Sequence, residues 1–237
     1  MNDTTICTYT GNHVDLSAPS PEVVNLDDIA SSLGKLARFN GHTSAFYSVA
    51  SHSLLVAIIA ERVFGGNPYL RLVALLHDGA EAYLGDACSP VRRLSAFAPF
   101  NALMAEWEKA VFSAFGADRA AADDAIKRAA KFADWQALLI EERAYMGGRL
   151  IIEDKTIHPA VNHLDPETMF APVSTVGVFK DAVTSAAGSV RLIAEKGIPP
   201  GDPHCFCLRH PYEKQTNGDP VMIVTSLCPS HGAEVTA

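Results

Sequence analysis

The stretch YSVASHSLLVAIIAERVF, residues 47–64, places apolar side chains at spacings of three and four, and YLRLVALLHDG, residues 69–79, repeats that spacing. Such spacing puts the side chains on one face of an α-helix. The face of the first stretch consists of Val49, His52, Val56, Ile59 and Val63. That of the second stretch consists of Leu70, Val73 and His77. Each predicted helix therefore carries a histidine on the face that packs into the core.

Helical spacing continues on both sides of these stretches and predicts an all-α fold. The predicted helices cover residues 27–38, 47–64, 69–79, 100–116, 119–146 and 180–196. Residues 1–24 are expected to form an irregular or hairpin lead-in. Near the C-terminus the β-branched stretch VMIVTSL follows the turn-like TNGDP, which predicts a small β-hairpin appendage.

The predicted elements divide the chain into three parts. Residues 1–150 form the main helical domain, residues 151–200 a helical and loop extension, and residues 201–237 a small tail that contains cysteine and histidine. A cluster of proline and glycine at residues 199–203 marks the last boundary, because these residues break regular structure.

The composition disfavours several classes of protein. Of the 237 residues, 48% are hydrophobic and 19% are charged, which is typical of a folded chain rather than a disordered one. The formal net charge of −8 disfavours broad contact with nucleic acid. No apolar run reaches the membrane-spanning length of about 18 residues, and the N-terminus lacks the order of a signal peptide. We therefore expect a cytoplasmic protein with no membrane partner and no stable binding to nucleic acid.

Carboxylates accompany both histidines. Asp78 follows His77, and Glu81 lies four residues beyond His77. An unpaired charge on a buried face is costly, because nothing replaces its lost hydration. Several such side chains are compensated most simply when they meet around a cation, and neutral imidazoles with carboxylates suit Mn²⁺, Co²⁺ or Fe²⁺. The predicted long helix adds the carboxylate of Asp134, on a stripe that also contains Ile126, Ala130, Ala137, Leu138 and Glu141.

Each of these residues taken alone has a simpler interpretation. A lone histidine on an apolar face is more often a hydrogen-bonded core residue than a ligand. Asp134 could pair with Arg128 or Lys131 on the surface if the helix were rotated by one residue. The joint pattern of two histidines and several carboxylates on buried faces favours a metal site.

The order His52, His77-Asp78, Asp134 resembles the H…HD…D signature of the HD-domain metal-dependent phosphohydrolases, an all-helical superfamily. The surrounding sequences RFNGHTSAFYSVASHSLLVA, residues 38–57, and ALLHDGAEAYLGDACSPVRRL, residues 74–94, are similar to the HD-type 5′-deoxynucleotidases of bacteria and the phage-encoded dATP triphosphohydrolases. The resemblance extends over residues 8–145.

The resemblance implies a role for each matching residue. The implied metal ligands are His52, His77, Asp78 and Asp134. Glu81 matches the catalytic acid and Asp86 a second acidic residue of the site. The implied substrate-binding residues are Arg38, Phe39 and Arg92, and His42 is a weaker candidate for a phosphate contact. The alternative for Arg38 is a surface helix cap.

Some positions depart from the pattern of that family. In the segment that matches the family's G-D-x-P-x-P-x-K, this chain has Cys88 in place of one proline and Arg92 in place of the lysine. In addition, Ser51 precedes His52 where nucleotidases often have glutamate. Arg92 retains the positive charge, and Ser51 leaves the implied ligand set complete. The family supplies no counterpart for residues 150–237.

The expected function is that of a metal-dependent hydrolase that removes 5′-phosphate groups from deoxynucleotides. A monophosphate and a triphosphate substrate, including dATP, both stay open, because the two related groups share the metal ligands. Relatives form dimers or larger rings, so the resemblance implies a homo-oligomer. The alternatives are a cyclic-nucleotide phosphodiesterase, a catalytically inactive nucleotide sensor or scaffold with the HD fold, and a tail that binds nucleic acid or a partner.

The C-terminal tail contains a second candidate metal site. Cys205-x-Cys207 and Cys228-x-x-His231 flank the predicted hairpin. Four such ligands at short paired spacings can hold a structural Zn²⁺, which would stabilise a segment too short to bury a core. The alternative is that these cysteines are ordinary thiols.

Overall fold

A computed structural model describes residues 4–170 and 175–195, together with the backbone of two strands at 210–214 and 220–223. The all-α fold predicted from the sequence is confirmed. The α-helices are α1 (Leu26–Leu33), α2 (Val49–Phe64), α3 (Pro68–Leu76), α4 (Glu81–Leu84), α5 (Ser89–Arg92), α6 (Ala98–Ala114), α7 (Asp118–Ala122), α8 (Asp124–Tyr145), α9 (Pro166–Phe170) and α10 (Thr175–Glu195). Short 3-10 helices cover Pro21–Val23, Arg38–Gly41 and Ser95–Phe97.

The chain begins with a small hairpin that covers one side of the helices. Strands β1 (Thr5–Cys7) and β2 (His13–Asp15) pair antiparallel, and Val14 of β2 is buried in the core. Behind the hairpin, the indole of Trp107 donates a hydrogen bond from Nε1 to the carbonyl oxygen of Leu16, at 3.0 Å, and stacks on Tyr83. Trp107 therefore links the N-terminal segment to α6 and α4.

Helix α2 lies at the centre of the fold. It packs against α3, α8 and α10. Its buried residues include His52, Leu55 and Val56, and they occupy nearly every face rather than the single stripe that the sequence predicts. A helix that is surrounded by other helices must be apolar on all sides, so the polar side chains buried on α2 need partners from its neighbours.

Several helix ends differ from the predictions, including the start of α10 at Thr175 rather than at residue 180, and three of the differences affect the site. The predicted helix 27–38 ends already at Leu33. A methyl group on the following Gly34 would lie 2.5 Å from Val176, so α10 approaches too closely for a side chain there. The backbone bridge between Ala37 and Ser48 then turns the chain back, and Arg38 lies in a 3-10 turn rather than in α1.

The other two differences concern predicted helices 69–79 and 119–146. Helix α3 ends at Leu76, residues 77–80 form a turn, and Glu81 starts the separate short helix α4. The predicted helix 119–146 is interrupted at Asp123. The Asp123 carboxylate accepts hydrogen bonds from the backbone N–H groups of Ala125 and Ile126 and caps α8. Aspartate at this position satisfies N–H groups that a helix start leaves without partners.

The predicted extension at 151–200 contributes to the core. Helix α10 packs against α1, α2 and α3, and buries Phe179, Val183 and Val190. Strands β3 (His210–Lys214) and β4 (Pro220–Ile223) pair antiparallel, which confirms the C-terminal hairpin. The candidate zinc ligands Cys205, Cys207, Cys228 and His231 lie outside the described residues. None of the helices that the structure describes combines the length and the hydrophobicity needed to span a bilayer.

Gly79, in the turn between α3 and α4, tests how tightly α6 packs on this turn. A methyl group there would lie 2.8 Å from Val111 of α6 and 2.9 Å from the carbonyl oxygen of Leu76. We expect Gly79→Ala to lower the free energy of unfolding by about 1–3 kcal/mol through overpacking. Urea denaturation measures the change. Gly188→Ala is the matched control, because an added methyl group in the middle of α10 meets no atom within 4 Å and is expected to stabilise the helix by about 0.5–1 kcal/mol. Equal effects of the two substitutions would contradict the prediction.

Candidate metal centre

Three helices bring the predicted metal ligands together. His52 lies on α2, His77 follows the last residue of α3, and Asp134 lies on α8. One ligand atom from each of these residues lies within 4.8 Å of the others. His52 is fully buried, whereas the Asp134 side chain is 44% exposed, so the group opens to solvent on the α8 side. Asp134 contacts His52 and so does not occupy the alternative surface position beside Arg128 or Lys131.

The distances in this group suit a metal ion. The two Nε2 atoms of His52 and His77 are 3.2 Å apart, and Oδ1 of Asp134 lies 3.1 and 3.9 Å from them. Oδ2 of Asp78 lies 3.5 Å from Nε2 of His52 and 3.2 Å from Nε2 of His77. With bonds of about 2.1 Å, adjacent ligands of an octahedral ion are about 3.0 Å apart and opposite ligands about 4.2 Å. Each of these separations is one that a single ion can bridge. The group whose ligand atoms all lie within 4.8 Å of one another consists of His52, His77 and Asp134, and Asp78 adjoins it through the two histidines.

The second nitrogen of each imidazole has a hydrogen-bond acceptor of its own. Nδ1 of His77 is 2.8 Å from the carbonyl oxygen of Ala74, and Nδ1 of His52 is 2.5 Å from Oε1 of Glu141. When a ring is neutral and gives its Nδ1–H hydrogen to such an acceptor, its Nε2 atom presents a lone pair to the other ligand atoms. Two lone pairs and two carboxylates repel one another unless a cation lies between them, and this arrangement fits a divalent metal.

The same repulsion shifts the pKa values of these residues. Burial lowers the pKa of His77, but the neighbouring Asp78 and Asp134 outweigh it and raise that pKa to about 10. Burial raises the pKa of Asp78, and the two histidines with Arg38 lower it to well below its usual range. The group thus takes up positive charge readily, as a proton or as a metal ion.

Glu81, the predicted catalytic acid, is buried beside this group. Its Oε2 atom has no hydrogen-bond partner within the described part of the chain. Burial and the nearby charges of Asp78 and Asp86 raise the pKa of Glu81 to about 10. A buried carboxyl group without a partner is unfavourable for stability and is a common property of groups that take part in catalysis.

Arg38 also reaches the cluster. Its side chain is 15% exposed, and Nη1 lies 3.5 Å from Oδ2 of Asp78. The turn that carries it is strained, because Phe39 and Asn40 have φ values of 54° and 52°, in the left-handed region. The half-buried Phe39 lies against Arg38, with the guanidinium carbon 5.4 Å from the ring centroid. The turn therefore presents a cation and an aromatic ring beside the metal ligands.

The remaining predicted residues lie further out. Burial raises the pKa of Asp86, and the nearby positive charge of Arg38 lowers it less than burial raises it. Asp86 is therefore close enough to the cluster to feel the charge of Arg38. Arg92 is attached to α6, where Nε donates a hydrogen bond to Oδ1 of Asn101. His42 is exposed, and the described residues contribute no hydrogen bond or ion pair that joins its imidazole to the cluster. Cys88 accepts a hydrogen bond from the side chain of Asn40, so the two loops beside the site are in contact.

Sequence reasoning missed three residues of the site. Glu141 contacts His52, Arg38 and the hydroxyl of Tyr47. Its position seven residues after Asp134 on the same stripe was a usable signal, because that spacing corresponds to two helical turns. Glu108 of α6 is half-buried, and its pKa is raised by burial and by Asp78 against the charges of Arg92 and His77. Nothing in the local sequence marks Tyr47 or Glu108.

Two curated proteins are similar to parts of this chain. An uncharacterized protein of Rhodobacter capsulatus is 45% identical over 85 residues, which cover 35% of this chain and 43% of that protein. The uncharacterized protein YfdR of Escherichia coli is 37% identical over 89 residues, which cover 38% of this chain and 47% of YfdR. The aligned regions thus span less than half the length of either relative. No protein-family model matches the chain.

Glu81 should destabilise the metal-free protein in a pH-dependent way. Its pKa rises from an ordinary 4.5 to about 10 on folding, so the folded state loses stability as the pH rises through this interval. Glu81→Gln removes the ionisation. We expect the metal-free variant to have a higher Tm than the wild type at pH 8, by about 2–4 °C per kcal/mol for a chain of this size, and a similar Tm near pH 4.5.

Thermal denaturation with a chelator present measures both Tm values. Glu61→Gln is the control, because Glu61 is an exposed glutamate of α2. A Tm difference between Glu81→Gln and the wild type that is the same at both pH values would contradict the assignment of Glu81 as a buried carboxyl with a raised pKa.

Proposed function

We propose that this chain is a metal-dependent phosphohydrolase of the HD type that removes 5′-phosphate groups from deoxynucleotides. The proposal combines the resemblance of residues 8–145 with the chemistry of the cluster. The observation that carries it is the convergence of the His52 and His77 Nε2 atoms with Oδ1 of Asp134 and Oδ2 of Asp78, next to a buried arginine and a buried glutamate.

The ligand types favour Mn²⁺, Co²⁺ or Fe²⁺, because imidazole with carboxylate suits these ions and leaves open positions on a six-coordinate ion. His52, His77, Asp78 and Asp134 would hold a divalent cation, which would supply positive charge to the phosphate oxygens, acidify water and oppose the carboxylates that raise the pKa of Glu81. The fully buried His52 imidazole gives the site a rigid side.

The remaining roles in hydrolysis are assigned to residues of the protein. The Glu81 carboxylate takes a proton from the attacking water as the water oxygen bonds to phosphorus and the phosphorus–oxygen bond to the leaving group breaks. The proton held by Glu81 can then pass to the leaving oxygen, and Asp86 is a second acidic residue beside the cluster. Arg38 binds phosphate oxygens through its planar fork, and Arg92 and His42 are further candidates at the entrance. Phe39 offers an aromatic face beside them.

Mono- and triphosphates, including dATP, are both within the proposal. Assembly into a homo-oligomer and a cytoplasmic location are expectations that rest on the resemblance and on the sequence. A structural Zn²⁺ held by Cys205, Cys207, Cys228 and His231 is likewise a proposal from the sequence.

Product analysis on a panel of nucleotides tests the activity. The purified chain is incubated with Mn²⁺ or Co²⁺ and deoxynucleoside mono-, di- or triphosphates, with ribonucleotides and cyclic nucleotides as comparison substrates. Release of orthophosphate, pyrophosphate or triphosphate identifies the bond that is broken. We expect turnover of at least one deoxynucleotide. Turnover of cyclic nucleotides alone supports a phosphodiesterase, and the absence of turnover with every metal supports a sensor.

Glu81→Ala tests the proton acceptor. Because Glu81 is not a predicted ligand, we expect the variant to keep its Mn²⁺ content and to lose about 10²–10⁴-fold in kcat. Metal analysis and steady-state kinetics on the same preparation measure both quantities. Asp134→Ala is the comparison variant, and it should lose metal as well as activity. Wild-type kcat in Glu81→Ala would refute the role of Glu81.

A further inference from the structure

Glu141 is the most deeply buried carboxylate near the cluster. Its side chain is 0% exposed and lies on α8, two helical turns beyond Asp134. Oε1 is 2.5 Å from Nδ1 of His52 and accepts a hydrogen bond of 3.1 Å from the hydroxyl of Tyr47. Oε2 lies 3.2 Å from Nε of Arg38, in an ion pair whose angles fall short of a hydrogen bond. A buried carboxylate is costly unless such partners compensate it.

The contact with His52 determines which nitrogen faces the cluster. With Nδ1–H donated to Glu141, the lone pair of Nε2 points to His77 and Asp134. A carboxylate on the outer nitrogen of a metal-ligating histidine fixes the ring orientation and raises the basicity of the ligand. A neutral amide at the same place could accept the hydrogen bond but would supply no negative charge.

The contact with Arg38 orients a second functional group. Nε faces Glu141 and Nη1 faces Asp78 at 3.5 Å. A guanidinium carries five N–H donors in a planar fork, so holding two of its nitrogens against carboxylates fixes the plane while other donors stay available for an anion. Glu141 is therefore shared between a predicted metal ligand and a predicted phosphate-binding residue.

We propose that Glu141 is a positioning residue that orients His52 for the metal ion and Arg38 for phosphate through one carboxylate, and so sets both affinities of the site. The inference rests on the proposed function in assigning those two roles. The carboxylate beside His52 thus comes from α8, 89 residues further along the chain.

Glu141→Gln tests the proposal by two binding measurements that need no turnover. The first is the dissociation constant for Mn²⁺ alone, measured by titration calorimetry. The second is the dissociation constant for orthophosphate at saturating Mn²⁺. We expect Glu141→Gln to weaken Mn²⁺ binding by about 10–100-fold and to weaken orthophosphate binding as well.

The control variant is Glu142→Gln. Glu142 is the next residue of α8 and is also buried, but it pairs with Lys155 at 3.3 Å and accepts a hydrogen bond from the backbone of Leu150. Glu142→Gln therefore removes the same charge from the same helix without touching His52 or Arg38. We expect it to leave both dissociation constants within about twofold of wild type.

A double-mutant cycle distinguishes positioning from general damage, because residues that act through each other show non-additive effects. If Glu141 acts on phosphate through Arg38, then Glu141→Gln should no longer weaken orthophosphate binding when Arg38→Gln is already present. Its effect on Mn²⁺ should persist in that background, since that effect passes through His52. Full additivity for orthophosphate would overturn the Arg38 part of the proposal.

Circular dichroism and Tm show whether each variant is folded. If Glu141→Gln does not fold, Glu141→Asp replaces it, because aspartate keeps the charge but is one methylene shorter and cannot reach both partners. A folded variant with wild-type affinity for Mn²⁺ overturns the proposal. If the wild-type chain hydrolyses no nucleotide, but Glu141→Gln weakens binding of both Mn²⁺ and orthophosphate and Glu142→Gln does not, the Glu141 proposal is supported and the hydrolase proposal is refuted. If the wild-type chain hydrolyses a nucleotide and Glu141→Gln leaves both affinities unchanged, the hydrolase proposal is supported and the Glu141 proposal is refuted.

Discussion

The close approach of two imidazole nitrogens to each other and to two carboxylates is the constraint on which this structure depends. The Nε2 atoms of His52 and His77 are 3.2 Å apart and are surrounded by the carboxylates of Asp78 and Asp134. Such an arrangement is stable only with positive charge at its centre, supplied by protons or by a metal ion. The raised pKa of His77, about 10, expresses the same requirement. The helix contacts around α2 serve to hold these four side chains in place.

The fold gives the cluster a rigid support. Helix α2 is buried between α3, α8 and α10, so His52 has little freedom to move. The His77 ring is held by the carbonyl oxygen of Ala74, one turn earlier in α3. Helix α8 contributes Asp134 and Glu141 from one face, two turns apart. Precise placement of ligands requires such second contacts as well as the ligands themselves. Helix α10 matters for the same reason, because it completes the burial of α2.

Unfavourable interactions are concentrated on the side of the cluster where chemistry would occur. Glu81 is buried with one carboxyl oxygen lacking a partner, and Phe39 and Asn40 hold a left-handed backbone. Structures keep such features when the surrounding packing offsets their cost, and they are frequent at functional sites.

The sequence by itself determined the helical class and pointed to the set His52, His77 and Asp134, because helical periodicity and residue type are local properties of the chain. It could not determine where α1 ends, since the close approach of α10 decides that. Only the tertiary structure brought the Arg38 side chain to the cluster and placed Glu141 between Arg38 and His52. Those contacts join segments about 90 to 100 residues apart, and the distance between such segments depends on how whole helices pack rather than on any local pattern.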